Sequence, residues 1–277
     1  MCTSCVMASV KERMLNRRDF FRASAAGAAA LATGGIGASL ATGRVAMAAT
    51  PSRVTDMTHE LGPDFPTFFG EQQFFKEMLF NWDEHMFNLG EIRVNEHTGT
   101  HMDAPLHFSA DGHSVNEIPV ERLVCPLVVI DIRAKAQADA DAQLTPDDIR
   151  AWIAAHGEIP AGACVAMLSG WDRHVNGDRF RNADEAGMLH FPGFHLEAAQ
   201  MLMEEAEVAG MAVDTLSLDH GPSPDFAVHY AWLPTNRWGI ECLANLAEVP
   251  PAGATLVVGA PKHRAGTGGP ARIFTLH

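Results

Sequence analysis

Four side chains of metal-ligating types stand at alternate positions close to residue 100, namely His97, His101, Asp103 and His107. On an extended chain alternate residues point to one face, so all four would lie side by side. The even-numbered residues between them are threonine or apolar and suit an opposite, packed face. Imidazole nitrogen with carboxylate oxygen is the ligand set of zinc, manganese or iron, and is less typical of calcium or magnesium. The pattern predicts a metal site built on a strand.

The spacing of the first two histidines predicts a bend in that strand. A straight strand rises about 3.3 Å per residue, which would put the Cα atoms of His97 and His101 about 13 Å apart. With metal–nitrogen bonds of about 2.1 Å, that is the limit for two imidazoles that share one ion. Gly99 can bend the chain at little cost, while Thr-Gly-Thr and the nearby Pro105 disfavour a helix. We expect a kinked strand or a junction of strand and loop; the alternative is a polar surface strand with incidental histidines.

The elements that position this motif are predicted from apolar runs and capping residues. We predict strands over residues 54–58, 89–96, 126–131, 163–168, 211–216 and 255–259, and helices that begin at Thr145 and span 195–208 and 238–247. The alternation of strands and helices after residue 120 indicates an α/β domain with a partly parallel sheet.

The first 48 residues have the composition of an export signal. Two adjacent arginines, Arg17 and Arg18, precede two phenylalanines, and an uncharged run of small residues over 23–43 leads to a small-x-small sequence at 46–48. The alternative is a transmembrane anchor, but alanine and glycine are only weakly apolar. We therefore predict a cleaved twin-arginine signal over residues 1–48, transport by the twin-arginine translocase to the periplasm, and a single domain over residues 49–277.

The charge and the cysteines narrow the class of protein. The whole chain carries −14, and because residues 1–48 contribute +4, the remainder carries −18. An acidic chain is a poor binder of nucleic acid or of anionic membranes. Outside the signal, the cysteines are three, Cys125, Cys164 and Cys242, and each has apolar neighbours or falls in a predicted strand. We predict buried free thiols rather than a disulfide framework.

A second pair of candidate ligands lies further along the chain. His229 and Glu241 are twelve residues apart, and Pro234 prevents a single helix from joining them. Taken alone, a single histidine and a single glutamate are more often structural than ligating.

Residues 97–108 match the motif HxGTHxDxPxHF position by position, and the chain therefore resembles the cyclase family of metal-dependent hydrolases, which includes kynurenine formamidases and isatin hydrolases. The resemblance implies that His97, His101 and Asp103 bind metal and that His107 is the catalytic acid/base. It also implies that His229 and Glu241 complete the metal site. The implied fold is the swivelling β/β/α domain, an α/β fold with a mixed sheet and flanking helices. The implied assembly is a homo-oligomer, either a homodimer or a homotetramer.

These residues permit hydrolysis of an amide. Asp103 has two oxygens and could bridge two ions, so the cofactor is expected to be one or two divalent ions of zinc or manganese. A divalent metal lowers the pKa of bound water, which can then attack a carbonyl. His107 can carry the proton to the departing nitrogen. We therefore predict cleavage of the C–N bond of an aryl formamide or a lactam.

The substrate and the alternatives rest on weaker signals. Aromatic side chains in loops could hold a flat ring, and we expect Phe68, Trp82 and Trp171 to contact it, although core packing or a subunit interface would explain them equally well. The alternatives are lactone hydrolysis or dehydration on the same centre, and a periplasmic metal-binding protein without catalysis. Asp214 and Asp219 could support the histidines or could be capping groups. The glycines of 266–269 indicate a structural turn, since a phosphate loop would end in Lys-Ser/Thr.

Overall fold

A nine-stranded mixed sheet forms the centre of residues 51–277, which are the residues that the computed structural model describes. The predicted signal over residues 1–48 lies outside this part. Within it, the strands in chain order are β1 (Val54–Asp56), β2 (Phe74–Phe80), β3 (Leu89–Val94), β4 (His101–Asp103), β5 (Val124–Asp131), β6 (Gln143–Leu144), β7 (Cys164–Leu168), β8 (Gly193–Phe194), β9 (Gly210–Val213), β10 (Trp238–Glu241), β11 (Ala254–Gly259), β12 (Gly268–Pro270) and β13 (Arg272–Leu276).

The order of strands in the large sheet is β1-β13-β11-β5-β7-β9-β10-β4-β12. The four central strands, β5, β7, β9 and β10, are parallel, and the strands on both sides of them are antiparallel. Every residue of β7, β9 and β10 is buried, because helices or other chain segments cover both faces. The continuous apolar sequences of β7 and β9 follow from this double burial, whereas β10 ends in the buried Glu241.

Residues 51–277 contain five α-helices, namely α1 (Trp82–His85), α2 (Arg133–Ala138), α3 (Pro146–His156), α4 (Leu196–Glu205) and α5 (Ala227–Trp232). Helix α3 begins with the predicted Thr145 cap, whose capping box with Asp148 supplies partners for backbone groups at its first turn. In this part of the chain no helix combines the length and the apolar character that a bilayer span requires.

Alternate residues of the central strands pack into two separate clusters. Leu127 and Val129 of β5 join a cluster with Trp238, whereas Val128 and Ile130 pack with helices α3, α4 and α5. The sheet is thus the middle layer of the domain, which confirms the predicted α/β class with a mixed sheet and flanking helices. Cys125, Cys164 and Cys242 are buried and unpaired, also as predicted.

The predicted helix over residues 238–247 is wrong. Residues Trp238–Glu241 form strand β10, parallel to β9. The chain then enters the left-handed region at Cys242 (φ 56°) and again at Asn245 (φ 56°), which no α-helix tolerates in its interior. Pairing with β4 and β9 satisfies the backbone of this segment and overrides its local preference.

Strands β2 and β3, with α1 between them, form an arm over residues 74–94 that we call the hairpin arm. The two strands pair with each other and with no other strand of residues 51–277. The arm exposes an unusual number of large apolar side chains: Met78, Leu79, Trp82, Met86, Leu89 and Ile92.

Candidate active site

Strands β4 and β10 bring three candidate ligands together. His101 pairs directly with Glu241, and Asp103 pairs with Gly239, so the side chains of His101, Asp103 and Glu241 share one face. His101 Nε2 lies 3.3 Å from Asp103 Oδ1 and 3.4 Å from Glu241 Oε2. Glycine is required at 239, because a Cβ there would lie 3.2 Å from Asp103 Oδ2 and only 2.7 Å from Leu218.

Helix α5 adds His229 to the group, and Asp219 orients it. Asp219 Oδ2 accepts from the His229 backbone N–H at 3.1 Å and lies 2.6 Å from His229 Nδ1. With Nδ1 committed to this bond, His229 Nε2 faces Glu241 Oε1 at 3.2 Å and Asp103 Oδ2 at 3.6 Å. Glu241 Oε1 also accepts from the backbone N–H of Leu218 at 2.9 Å.

His97 and His107 approach from outside the strand. Gly99 has φ +72°, so the chain bends there as expected, but β4 begins only at His101 and His97 lies in the preceding turn. The bend brings His97 Nδ1 to 2.7 Å from Asp103 Oδ1. His107 belongs to a 3₁₀ turn over Pro105–Phe108 rather than to an extended chain. The expectation that all four side chains share one face of a strand is therefore wrong, although folding still brings them together.

The donor set fits a divalent cation. His101 Nε2 and Asp103 Oδ2 are buried and have no hydrogen-bond partner among residues 51–277, which is a costly arrangement unless another group satisfies them. Two triads have donor atoms within 4.8 Å of one another: His97, Asp103 and His107, and His101, Asp103 and Glu241. Asp103 belongs to both triads, so it could join two ions.

The charges of the cluster are strongly coupled. Burial opposes the charged form of His101, but Asp103 and Glu241 outweigh it and raise the pKa of His101 to about 10. Burial would raise the pKa of Asp103, but the surrounding imidazoles hold it well below its usual value. The pKa of His107 moves the other way, to about 4, chiefly because burial disfavours its charged form. In this environment His107 is a neutral imidazole that can accept a proton.

A cavity of about 350 Å³ opens onto this cluster. His97, His101, His107, His229 and Glu241 form its polar end. Most of the remaining wall is apolar, with Phe65, Phe68, Phe69, Phe108, Leu216 and Phe226. The shape and lining suit a small ligand with a flat apolar ring.

Of the three aromatic residues expected to contact substrate, Phe68 lines the cavity. Trp171 does not line the cavity but is buried in a cluster with the cavity residues Phe65 and Leu216, and its Nε1 donates to the carbonyl of Phe180 at 2.9 Å. Trp82 is 53% exposed on α1 of the hairpin arm and does not line the cavity. Sequence reasoning passed over Phe226, which stands three residues before His229.

Comparison with known proteins agrees with this arrangement. The Cyclase family model matches residues 55–220. An isatin hydrolase from Roseibium aggregatum is 34% identical over 264 residues, which cover 88% of this chain and 97% of that protein. A kynurenine formamidase from Salinibacter ruber is 27% identical over 208 residues, or 73% of this chain and 87% of that protein. The solved structure of isatin hydrolase A from Labrenzia aggregata, bound to benzyl benzoate, has a TM-score of 0.76 at 36% identity and covers 81% of this chain and 93% of its own.

The chain belongs to the cyclase family, and it is a hydrolase. Its match extends over nearly the full length of the isatin hydrolase relative, so the similarity includes the candidate site from His97 to Glu241.

Proposed function

We propose that this protein is a metal-dependent amidohydrolase that opens the C–N bond of a lactam or of an aryl formamide. The observation that carries the proposal is the pair of unpartnered buried atoms, His101 Nε2 and Asp103 Oδ2, which lie among the histidines at the polar end of an aromatic cavity. The names of the relatives, isatin hydrolase and kynurenine formamidase, supply the two amide classes.

Five residues would hold the cation. His97, His101 and Asp103 would form one site, and Asp103, His229 and Glu241 would complete it or form a second. Zinc and manganese both accept this mixture of nitrogen and oxygen ligands. When bound, the cation would activate water and polarise the carbonyl that is attacked.

We assign proton transfer to His107, because its ring lines the cavity where a substrate nitrogen would lie. Amide cleavage requires a proton on the departing nitrogen, and a neutral imidazole can take one from water and return it there. The stacked ring of His97 holds His107 in place, with ring centroids 3.7 Å apart.

Phe68 and Phe226 would hold the aromatic ring of the substrate. Their ring centroids are 5.8 Å apart, and both line the cavity. Offset or edge-on contact with such rings favours a flat ligand by about 0.5–1.5 kcal/mol per pair beyond its burial.

The test is a substrate panel on protein of known metal content. Isatin, N-formylkynurenine and an aromatic lactone are each incubated with protein loaded with zinc or manganese, and products are identified by mass spectrometry. Ring opening of isatin or deformylation that stops on chelation supports the proposal. Cleavage of the lactone alone would favour the lactonase alternative, and tight metal binding without turnover would favour the non-catalytic one.

We further propose that the protein is a homo-oligomer whose subunits meet at the hairpin arm. An isolated two-stranded hairpin is marginally stable in water, yet this arm exposes Ile92 (60%) and Met78 (53%). A second copy of the chain would cover these side chains.

Light scattering during size-exclusion chromatography should give the mass of a dimer or tetramer, and Ile92→Glu should shift the protein towards the monomer. Val120→Glu is the matched control, since Val120 is 66% exposed outside the arm.

Finally, we propose export to the periplasm by the twin-arginine translocase. The support is the sequence pattern of residues 1–48, with its paired Arg17 and Arg18. Cell fractionation should recover a shortened protein from the periplasm. Replacing both arginines with lysine should retain the full-length protein in the cytoplasm.

A further inference from the structure

His97 stands at one end of a chain of polar contacts that leads away from the cavity. Its Nε2 lies 2.9 Å from Thr267 Oγ1, and Thr267 Oγ1 lies 2.5 Å from Glu96 Oε2. The backbone N–H of Thr267 donates to the same Glu96 oxygen at 3.1 Å. The other oxygen, Glu96 Oε1, lies 2.5 Å from His263 Nε2. Glu96 is thus held on both oxygens by the segment 263–267.

Counting hydrogens along this chain places a proton on Nε2 of His97. The carboxylate of Glu96 can only accept, so the single proton of the Thr267 hydroxyl points to Glu96. The Thr267 oxygen must then accept from His97 Nε2–H. A neutral imidazole with its proton on Nε2 has its lone pair on Nδ1.

That lone pair faces another acceptor. His97 Nδ1 lies 2.7 Å from Asp103 Oδ1, so a positive charge must lie between the two atoms. Without a cation, a second ring proton on Nδ1 supplies that charge and His97 donates to Asp103. A divalent cation beside Asp103 would replace this proton and take the lone pair of Nδ1. The contacts of His97 outside the cavity therefore determine which of its two nitrogens is available to a cation, and that nitrogen is Nδ1.

We propose that Glu96 and Thr267 are positioning residues that hold His97 with its proton on Nε2 and present Nδ1 to the metal. The inference rests on the proposed function, because it presumes that a cation binds here. It adds the ligating atom of His97 and two residues outside the motif of residues 97–108.

His97 needs this support more than the other candidate ligands do. Its side chain is 21% exposed and lies in a turn, whereas the other four are at most 8% exposed. The supporting segment is itself anchored, since the backbone N–H of Ala104 donates to the carbonyl of Thr267 at 2.8 Å. Gly268 permits the close approach, because a Cβ there would lie 2.8 Å from His97 Cε1.

The first test compares metal affinity in Thr267→Val, Glu96→Gln and wild-type protein by competition with a chromophoric chelator, using zinc alone as the probe. Loss of such a partner typically weakens metal binding about 10- to 100-fold, and we expect this range for Thr267→Val. Thr267→Ser keeps the hydroxyl and should restore wild-type affinity. Thr55→Val is the control, because the buried Thr55 hydroxyl has no partner among residues 51–277.

The second test reads the tautomer directly. In zinc-loaded protein, long-range ¹H–¹⁵N NMR of the His97 ring should show a protonated Nε2 and a metal-bound Nδ1. Coordination through Nε2, or affinity unchanged in Thr267→Val, would overturn the inference while leaving the proposed function intact. If wild-type protein binds no divalent cation, the proposed function fails first. Restored affinity in Thr267→Ser separates loss of the hydroxyl from loss of the fold.

Discussion

The imidazole of His107 lies nearly parallel to that of His97, with ring centroids 3.7 Å apart and an angle of 19° between the planes. The two rings reach this position from different elements, a turn before β4 and a 3₁₀ turn after it. His107 is thereby fixed against the candidate metal ligands, and it also lines the cavity.

Replacing His107 with alanine should lower hydrolysis about 100-fold or more, because general acid–base catalysis contributes at least that much. The metal content should persist, since the other five candidate ligands remain. Measurement of kcat tests the loss of hydrolysis, and atomic emission spectrometry tests whether the metal content persists. Wild-type activity in this variant would remove His107 from proton transfer, whereas loss of metal would make it a ligand.

Replacing Asp219 with asparagine should weaken metal binding about 10- to 100-fold, because Asp219 fixes the ring of His229 through the 2.6 Å contact with Nδ1. Chelator competition measures the change. Ser223→Ala is the matched control: its hydroxyl donates to Asp219 Oδ1 at 3.2 Å and does not contact His229. Equal effects of the two substitutions would argue for a general loosening of the loop.

Phe68→Ala should raise KM for an aromatic amide about tenfold with a smaller change in kcat, because it removes part of the cavity wall. Trp171→Phe should leave KM unchanged and should lower the free energy of unfolding by about 1–2 kcal/mol, through loss of the bond to Phe180 and of buried volume. Steady-state kinetics give KM and kcat for both variants, and urea unfolding gives their free energies of unfolding. A raised KM in Trp171→Phe would restore Trp171 as a substrate contact.

His190 should make stability depend on pH. Its bond to Asp141 (2.9 Å) outweighs burial and raises its pKa, with Asp184 3.7 Å away. Because the folded pKa is the higher one, the stabilisation is complete below about pH 6.5 and is lost as pH rises through the folded value. A surface pair contributes about 0.5 kcal/mol, so His190→Gln should lower Tm by about 2 °C at pH 5.5 and by less at pH 9.

The control for this pH dependence is Asp141→Asn, which removes the main charged partner. In that background the change in Tm caused by His190→Gln should vary less with pH, because only Asp184, 3.7 Å away, then raises the pKa of His190. A change that grows towards pH 9 would reverse the sign and contradict the assignment.

Local sequence signals predict much of the fold and less of the site. The Thr145 cap and the apolar run of β5 are local, and both elements form where expected. The helix predicted over residues 238–247 does not form, because residues 238–241 pair with β4 and β9, which lie far from them in sequence. The same limit applies to Thr267, which contacts Glu96 across 171 residues. Only the family motif linked His229 and Glu241 to His97 in advance.

The sheet order also determines when the site can form. Strand β4 carries His101 and Asp103 but is only three residues long, and its two neighbours, β10 and β12, come from the last forty residues of the sequence. A growing chain therefore exposes the histidine motif long before the strands that hold it exist. Contacts of such large sequence separation form late in folding. The candidate metal site should be among the last parts of the domain to become rigid, so binding of a cation there would report completion of the fold.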